Sequence, residues 1–235
     1  MTVEYRLDED NVAHAFMDDG KANVLNDTSC SGLRSALARA GDDGAGCLVI
    51  HGRSRMFSGG IDLDIIRGSD PAQRRVSLET IAHTLLAVWM APLPTIAAVT
   101  GHAIAGGAIL AMGCDHRVAV DETAKIGVNE TALGMTFPTW AAVIIEGAVS
   151  PNVRTDVMLV GRLFDPQGAA RVGIIDEVVP SASFEQAVAD AARERAALPT
   201  RAYAGNKRVL RAAEAKRAAS LVSSELDFAS AGVPA

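Results

Sequence analysis

The chain has 235 residues, of which 49% are hydrophobic and 21% charged, so it can bury a sizeable core and is neither disordered nor fibrous. A formal net charge of −6 gives no basic footprint for nucleic acid or an anionic membrane, and 4% aromatics leave no stacking platform for single-stranded bases. Cys30, Cys47 and Cys114 form neither a CxxC pair nor an even framework, which reads as reduced thiols in a cytoplasmic protein. The histidines show no pairing at metal-ligand spacing, so no metal site is expected.

The N-terminus is charged from Glu4 onward and lacks the apolar region of a secretion signal. Short β-type runs follow at Val3 to Leu7, Val12 to Met17, Cys47 to His51, Thr95 to Val99 and His116 to Val120. They alternate with helical patterns, the rhythm of repeated βα units, and the fold class is α/β. Helices are expected over Ser29 to Ala40, with Leu33 and Leu37 on one face, and over Pro71 to Met90, with Val76, Ile81, Leu85, Val88 and Trp89. Thr95 to Cys114 is apolar for about the length of a membrane span, but its glycines, His102, Pro92 and Pro94 make it strand, glycine turn and buried helix. Ser150-Pro151 and Asp165-Pro166 each place a capping side chain before a proline and predict two more helix starts, the second helix ending at Gly173. From Ser183 the chain turns Ala-, Arg- and Glu-rich and helical, broken at Pro199-Thr200. The expected division is a core over 1–180 and a helical region over 181–235 that docks onto the core or onto a neighbouring subunit, an oligomerisation region in the latter case.

Three segments carry chemistry. Ser58, Gly59 and Gly60 allow a tight turn that can leave the Ile61 amide unpaired, although such a run is also a plain loop. Gly101 to Met112 is a strand-to-helix turn in which Gly106 would offer its amide at a helix start, where negative charge is favoured. It is not a nucleotide loop: Ala108 and Ile109 stand where a phosphate-binding loop needs Lys and Ser or Thr, and the G-x-G-x-x-G spacing is missing. Glu130 follows in Lys125 to Met135, a carboxylate among small and apolar residues, which read alone is a solvated turn.

In this order and spacing the three segments resemble the crotonase (enoyl-CoA hydratase/isomerase) superfamily, over about Val3 to Val179. The resemblance implies a ββα spiral core with a C-terminal helical region and an acyl-CoA substrate whose thioester oxygen meets the amides of Ile61 and Gly106. It makes Lys21, Ala22, Asn23, Leu25, Gly59, Gly60, Gly107, Ile109, Leu133 and Gly134 the substrate-binding positions, with Lys21 to Asn26 lying along the CoA moiety. It calls for no cofactor beyond the coenzyme A of the substrate, and for a homotrimer or hexamer. The family's C-terminal extension looks shortened, from Phe228 to Ala235. Lys21, Arg53, Arg55 and Arg67 are candidate phosphate partners.

Family hydratases use two glutamates on one water. Here Ile109 occupies the first position and Glu130 keeps the second. One base beside an oxyanion hole suffices to move a proton between two carbons of a CoA ester. The phrase Ile126 to Thr131 also resembles mitochondrial Δ3-Δ2-enoyl-CoA isomerases. Double-bond isomerisation is therefore favoured. Hydration stays open if Asp62, Asp64 or Glu146 replaces the missing acid, and so does an acyl-CoA-binding protein without turnover. Burial among Ala132, Leu133, Ile109 and Met135 is expected to raise the pKa of Glu130. His102 reads as a hydrogen-bonded core residue, and Asp115, His116 and Arg117 as a structural cluster.

Overall fold

The computed structural model describes residues 2–68 and 70–229 of the chain. The apolar runs fold as strands β1 (Thr2–Leu7), β2 (Val12–Asp18), β3 (Val24–Leu25), β4 (Cys47–His51), β5 (Arg55–Ser58), β6 (Gly60–Ile61), β7 (Thr95–Val99), β8 (Gly101–Ile104), β9 (His116–Val120), β10 (Ile126–Gly127) and β11 (Glu177–Val179). The helices are α1 (Asp27–Asp42), α2 (Leu63–Arg67), α3 (Pro71–Trp89), α4 (Gly106–Gly113), α5 (Thr139–Ala148), α6 (Pro166–Arg171), α7 (Phe184–Ala196) and α8 (Thr200–Ala229).

β1-β2-β4-β7-β9-β11 form a six-stranded sheet, parallel except for the β1–β2 pair. Every residue of β4 and β7 is buried, as parallel strands covered on both faces require. Val49, Ile96 and Val118 pack under Phe184 and Val188 of α7 on one face. Leu48 and Ile50 join the core of Leu33 on α1 and Ile81 and Leu85 on α3 on the other. A second parallel sheet, β10-β8-β5, and the short β3–β6 pair carry the glycine turns.

Helix limits follow their caps. Asn26 accepts from the Ser29 amide at 3.0 Å while the Asn26 amide donates to Ser29 Oγ at 2.8 Å, a capping box that starts α1 before Ser29. Asp70 caps α3, whose Ile81, Leu85, Val88 and Trp89 are buried; Val76, expected on that face, is exposed. Asp165 starts α6 by accepting from Gly168 N, and Gly173 follows its end with φ +83°. Ser150 makes no cap bond: a 3-10 turn at Pro151–Val153 and a π turn at Thr155–Leu159 replace the expected helix. Arg154 folds back onto Glu146, at 2.9 Å to its carboxylate and 2.8 Å to its carbonyl, and the Thr131 hydroxyl ties Met158 O to the preceding loop.

The expected division near residue 180 marks no gap in packing, because Ala218 and Val222 of α8 lie in the main core. The shortened extension expected from Phe228 to Ala235 lies outside the described side chains. Nearer its start, α8 is held by a buried ion cluster. Lys207 Nζ lies 2.6 Å from Asp115 and donates to the Ala91 and Leu93 carbonyls, while Arg211 lies 2.8 Å from the same carboxylate and donates to Trp89 O. Burial pulls the Lys207 ammonium below its usual pKa, and Asp115 opposes that pull. Asp115→Ala strands both cations, and we expect a loss of about 3–5 kcal/mol, read by urea unfolding.

Candidate active site

The loop from Asp18 to Asn26 is shaped by Asn23, a buried residue at φ +49°. Its Nδ2 donates to the carbonyls of Met17 at 2.9 Å and Phe57 at 3.2 Å, and its Oδ1 accepts from Asp19 N. Ser58 Oγ donates to Asn23 O at 2.7 Å, and Gly59 N to Ala22 O at 2.7 Å. These bonds bring β3 beside β6.

Gly60, at φ +92°, has room for no side chain: a β-carbon would lie 2.8 Å from Ile104 O and 3.0 Å from Gly106 N. The Asp62 amide donates to Leu25 O at 3.0 Å, and successive strand amides point to opposite sides. The Ile61 N–H therefore turns from β3 toward α4. A β-carbon at Gly106 would lie 3.4 Å from Ile61 N, so the two amides are neighbours.

Ala105 precedes α4 at φ 52° and ψ −125°, a region unfavourable for a residue with a β-carbon, and places Gly106 at the first helical position with no earlier turn to accept its N–H. Gly107 lets α4 sit on β5, since a β-carbon there would lie 2.2 Å from Ser58 O. The Ala105 amide donates to Gly127 O at 2.9 Å, fixing this turn against β10, three residues before Glu130.

Gly59, Ile61, Gly106, Ile109, Glu130 and Leu133 line one cavity of about 470 Å³. Leu63, Ile66 and Leu78, then Phe137, Trp140, Ala141 and Leu226, extend its apolar wall. Glu130 Oε2 is buried without a hydrogen-bond partner. Burial pushes the carboxyl up to about 7, against hydrogen bonds from the amides of Glu130 and Asn129 that act to lower it. Of the residues expected to bury it, Ile109 is enclosed, whereas Leu133 is 62% and Met135 39% exposed and stand at the cavity's rim. The enclosure comes from the inner wall.

Several expected binding residues support the site instead of lining it. Asn23, Leu25, Gly60 and Gly107 are buried and are not among the residues that line the cavity. Lys21, Ala22 and Gly134 are not among its lining residues; Gly134, at φ +75°, is exposed and ends the turn after Glu130. Arg53 donates to Lys21 O at 2.9 Å and pairs with Asp18 at 3.1 Å, while Arg55 and Arg67 are exposed. Asp62 caps α2 by accepting from Asp64 N, Asp64 is exposed, and Glu146 pairs with Arg154. None of these three carboxylates lines the cavity. His102 Nδ1 accepts from Lys125 N at 2.9 Å. Asp176 binds Arg117 at 2.6 Å, and Asp115 holds Lys207 and Arg211, so these charges are structural.

Sequence reasoning missed two polar groups of the cavity, Asn129 and Glu225. Asn129 Oδ1 is buried without a partner beside Glu130. Glu225 accepts from Thr139 N at 2.8 Å and from the Thr139 hydroxyl. Only tertiary packing brings Thr139 and Glu225 together, 86 positions apart in sequence.

Similarity to known proteins follows the same lines. The profile of the enoyl-CoA hydratase/isomerase family matches residues 8–230. The mitochondrial enoyl-CoA delta isomerase 1 of Homo sapiens is 31% identical over 173 residues, covering 73% of this chain and 57% of the human protein's own length. A putative enoyl-CoA hydratase of Thermus thermophilus is 33% identical over 183 residues, 74% of this chain and 70% of that one. The solved structure of the probable enoyl-CoA hydratase EchA3 from Mycobacterium tuberculosis superposes with a TM-score of 0.91 at 32% identity, over 98% of both chains. The chain folds as a crotonase and belongs to the enoyl-CoA hydratase/isomerase family.

Proposed function

We propose that this chain is an enoyl-CoA double-bond isomerase, converting 3-enoyl-CoA to the conjugated 2-enoyl-CoA. The thioester oxygen accepts from the Ile61 and Gly106 amides, which meet the negative charge that develops when the adjacent carbon loses a proton. One such donor is worth about 3 kcal/mol in the transition state. Glu130 takes the proton from C2, the double bond shifts from C3–C4 to C2–C3, and the same carboxyl returns the proton to C4.

One observation carries this reading. Of the two carboxylates that the described residues place on the cavity wall, Glu130 keeps a free oxygen whereas each oxygen of Glu225 already accepts from Thr139. Ile109 stands where a second acid would serve water. Likeness to the human isomerase supports the same choice.

Hydration of 2-enoyl-CoA is the second reading. It is favoured by the unpartnered Asn129 Oδ1, which shares the cavity wall with the unpartnered Glu130 Oε2, since two such acceptors suit a bound water. Conjugated-thioester absorbance discriminates: appearance from 3-enoyl-CoA without loss from 2-enoyl-CoA supports isomerisation, and loss from 2-enoyl-CoA alone supports hydration. We further propose a homotrimer or hexamer, supported by Val209 and Leu210, 89% and 77% exposed on α8.

Glu130→Gln should lower kcat by about 10²–10⁴-fold while acyl-CoA still binds; unchanged turnover would leave only a carrier role. Because the base must be ionised, kcat/KM of the parent protein should rise with pH to a plateau above about 7. Stability should run the other way. A folded-state pKa raised from 4.5 to about 7 means the native chain holds the extra proton, so stability falls as pH climbs through that window. At pH 8 Glu130→Gln should therefore melt above the parent protein by calorimetry. In sedimentation, Val209→Asp with Leu210→Asp should shift a trimeric mass toward the monomer.

A further inference from the structure

Among the described residues, Glu225 is the second charged group on the cavity wall and comes from α8, which contributes nothing to the amide pair at Ile61 and Gly106. It is fixed in place. Oε2 accepts from Thr139 N at 2.8 Å and Oε1 from the Thr139 hydroxyl, which closes the first turn of α5 just where Trp140 and Ala141 line the same cavity. Ser223, two residues earlier, donates to Glu79 of α3 at 2.8 Å, so this stretch of α8 is tied on two sides.

A carboxylate has about four acceptor positions, and Thr139 fills two. An alkyl group pressed against the others removes water from them and supplies no donor, which is unfavourable. The wall formed by Leu63, Ile66, Leu78 and Phe137 does the opposite, strengthening binding by about fourfold for each methylene it covers.

Building on the reading of this cavity as an acyl site, we propose that Glu225 determines its substrate specificity: it admits acyl tails that end short of the carboxylate and rejects alkyl tails long enough to lie against it. Thr139 is the positioning residue that holds the carboxylate there.

The test is calorimetric titration of the parent protein, Glu225→Gln and Glu225→Leu with saturated acyl-CoAs from butyryl to dodecanoyl, which reads the tail without turnover. In the parent protein, affinity should climb with each methylene and then stop climbing. Both substitutions should move that break to longer tails and raise the ratio of longest-to-shortest affinity by about tenfold or more. Glu225→Gln keeps an acceptor for Thr139 and decides the matter if Glu225→Leu does not fold. The same break in Glu225→Gln as in the parent protein overturns the proposal while leaving the acyl-CoA reading intact. Failure of the parent protein to bind any acyl-CoA overturns both.

Discussion

Two main-chain amides approach one another here because their backbones come closer than side chains would allow. The Ile61 and Gly106 nitrogens are neighbours only while Gly60 leaves room for Ile104 O and Gly107 leaves room for Ser58 O. The surrounding structure keeps that approach in place. Asn23 fastens the early loop to Phe57, the β3–β6 pair turns the Ile61 amide outward, and Ala105 accepts an unfavourable φ to start α4 at the required point. A residue with a β-carbon in such a conformation costs roughly 1–3 kcal/mol, which the bond from Ala105 N to Gly127 O and the buried α4 around it offset.

Glu130 depends on the same frame. The β8–β10 pairing delivers the segment that carries it, and the cavity wall leaves one of its oxygens without a donor. An ionised carboxylate so placed is unstable relative to one in water, and that imbalance brings its pKa to the range where one group can both take and return a proton. The instability and the raised pKa are here two consequences of one burial.

Much of this was legible in the sequence. The runs at Cys47 and Thr95 lie where strands formed, the helix expected from Pro71 begins there, and Asp165-Pro166 marks a true helix start. The glycines were visible because backbone conformation leaves a residue-type signature. What escaped was nonlocal. Ser150-Pro151 has the pattern of a cap, but Arg154 turns back onto Glu146 and the chain leaves the helical path. Asn23 and Leu25 sit in the right loop and face its interior, a distinction of side-chain direction that a motif does not encode. Glu225 and Thr139 meet only because Asp115 collects Lys207 and Arg211 and lays α8 along the core.

A device made of peptide groups has an unusual relation to inheritance. No substitution at position 61 that preserves the strand deletes its N–H, so that donor tolerates drift in the side chain attached to it. What drift can readily alter are the groups around that donor: an aliphatic residue at 109, a carboxyl at 130, an amide at 129. Under the proposed reaction, chemistry within such a scaffold can diverge by exchanging one or two side chains while the paired main-chain donors stay as they are.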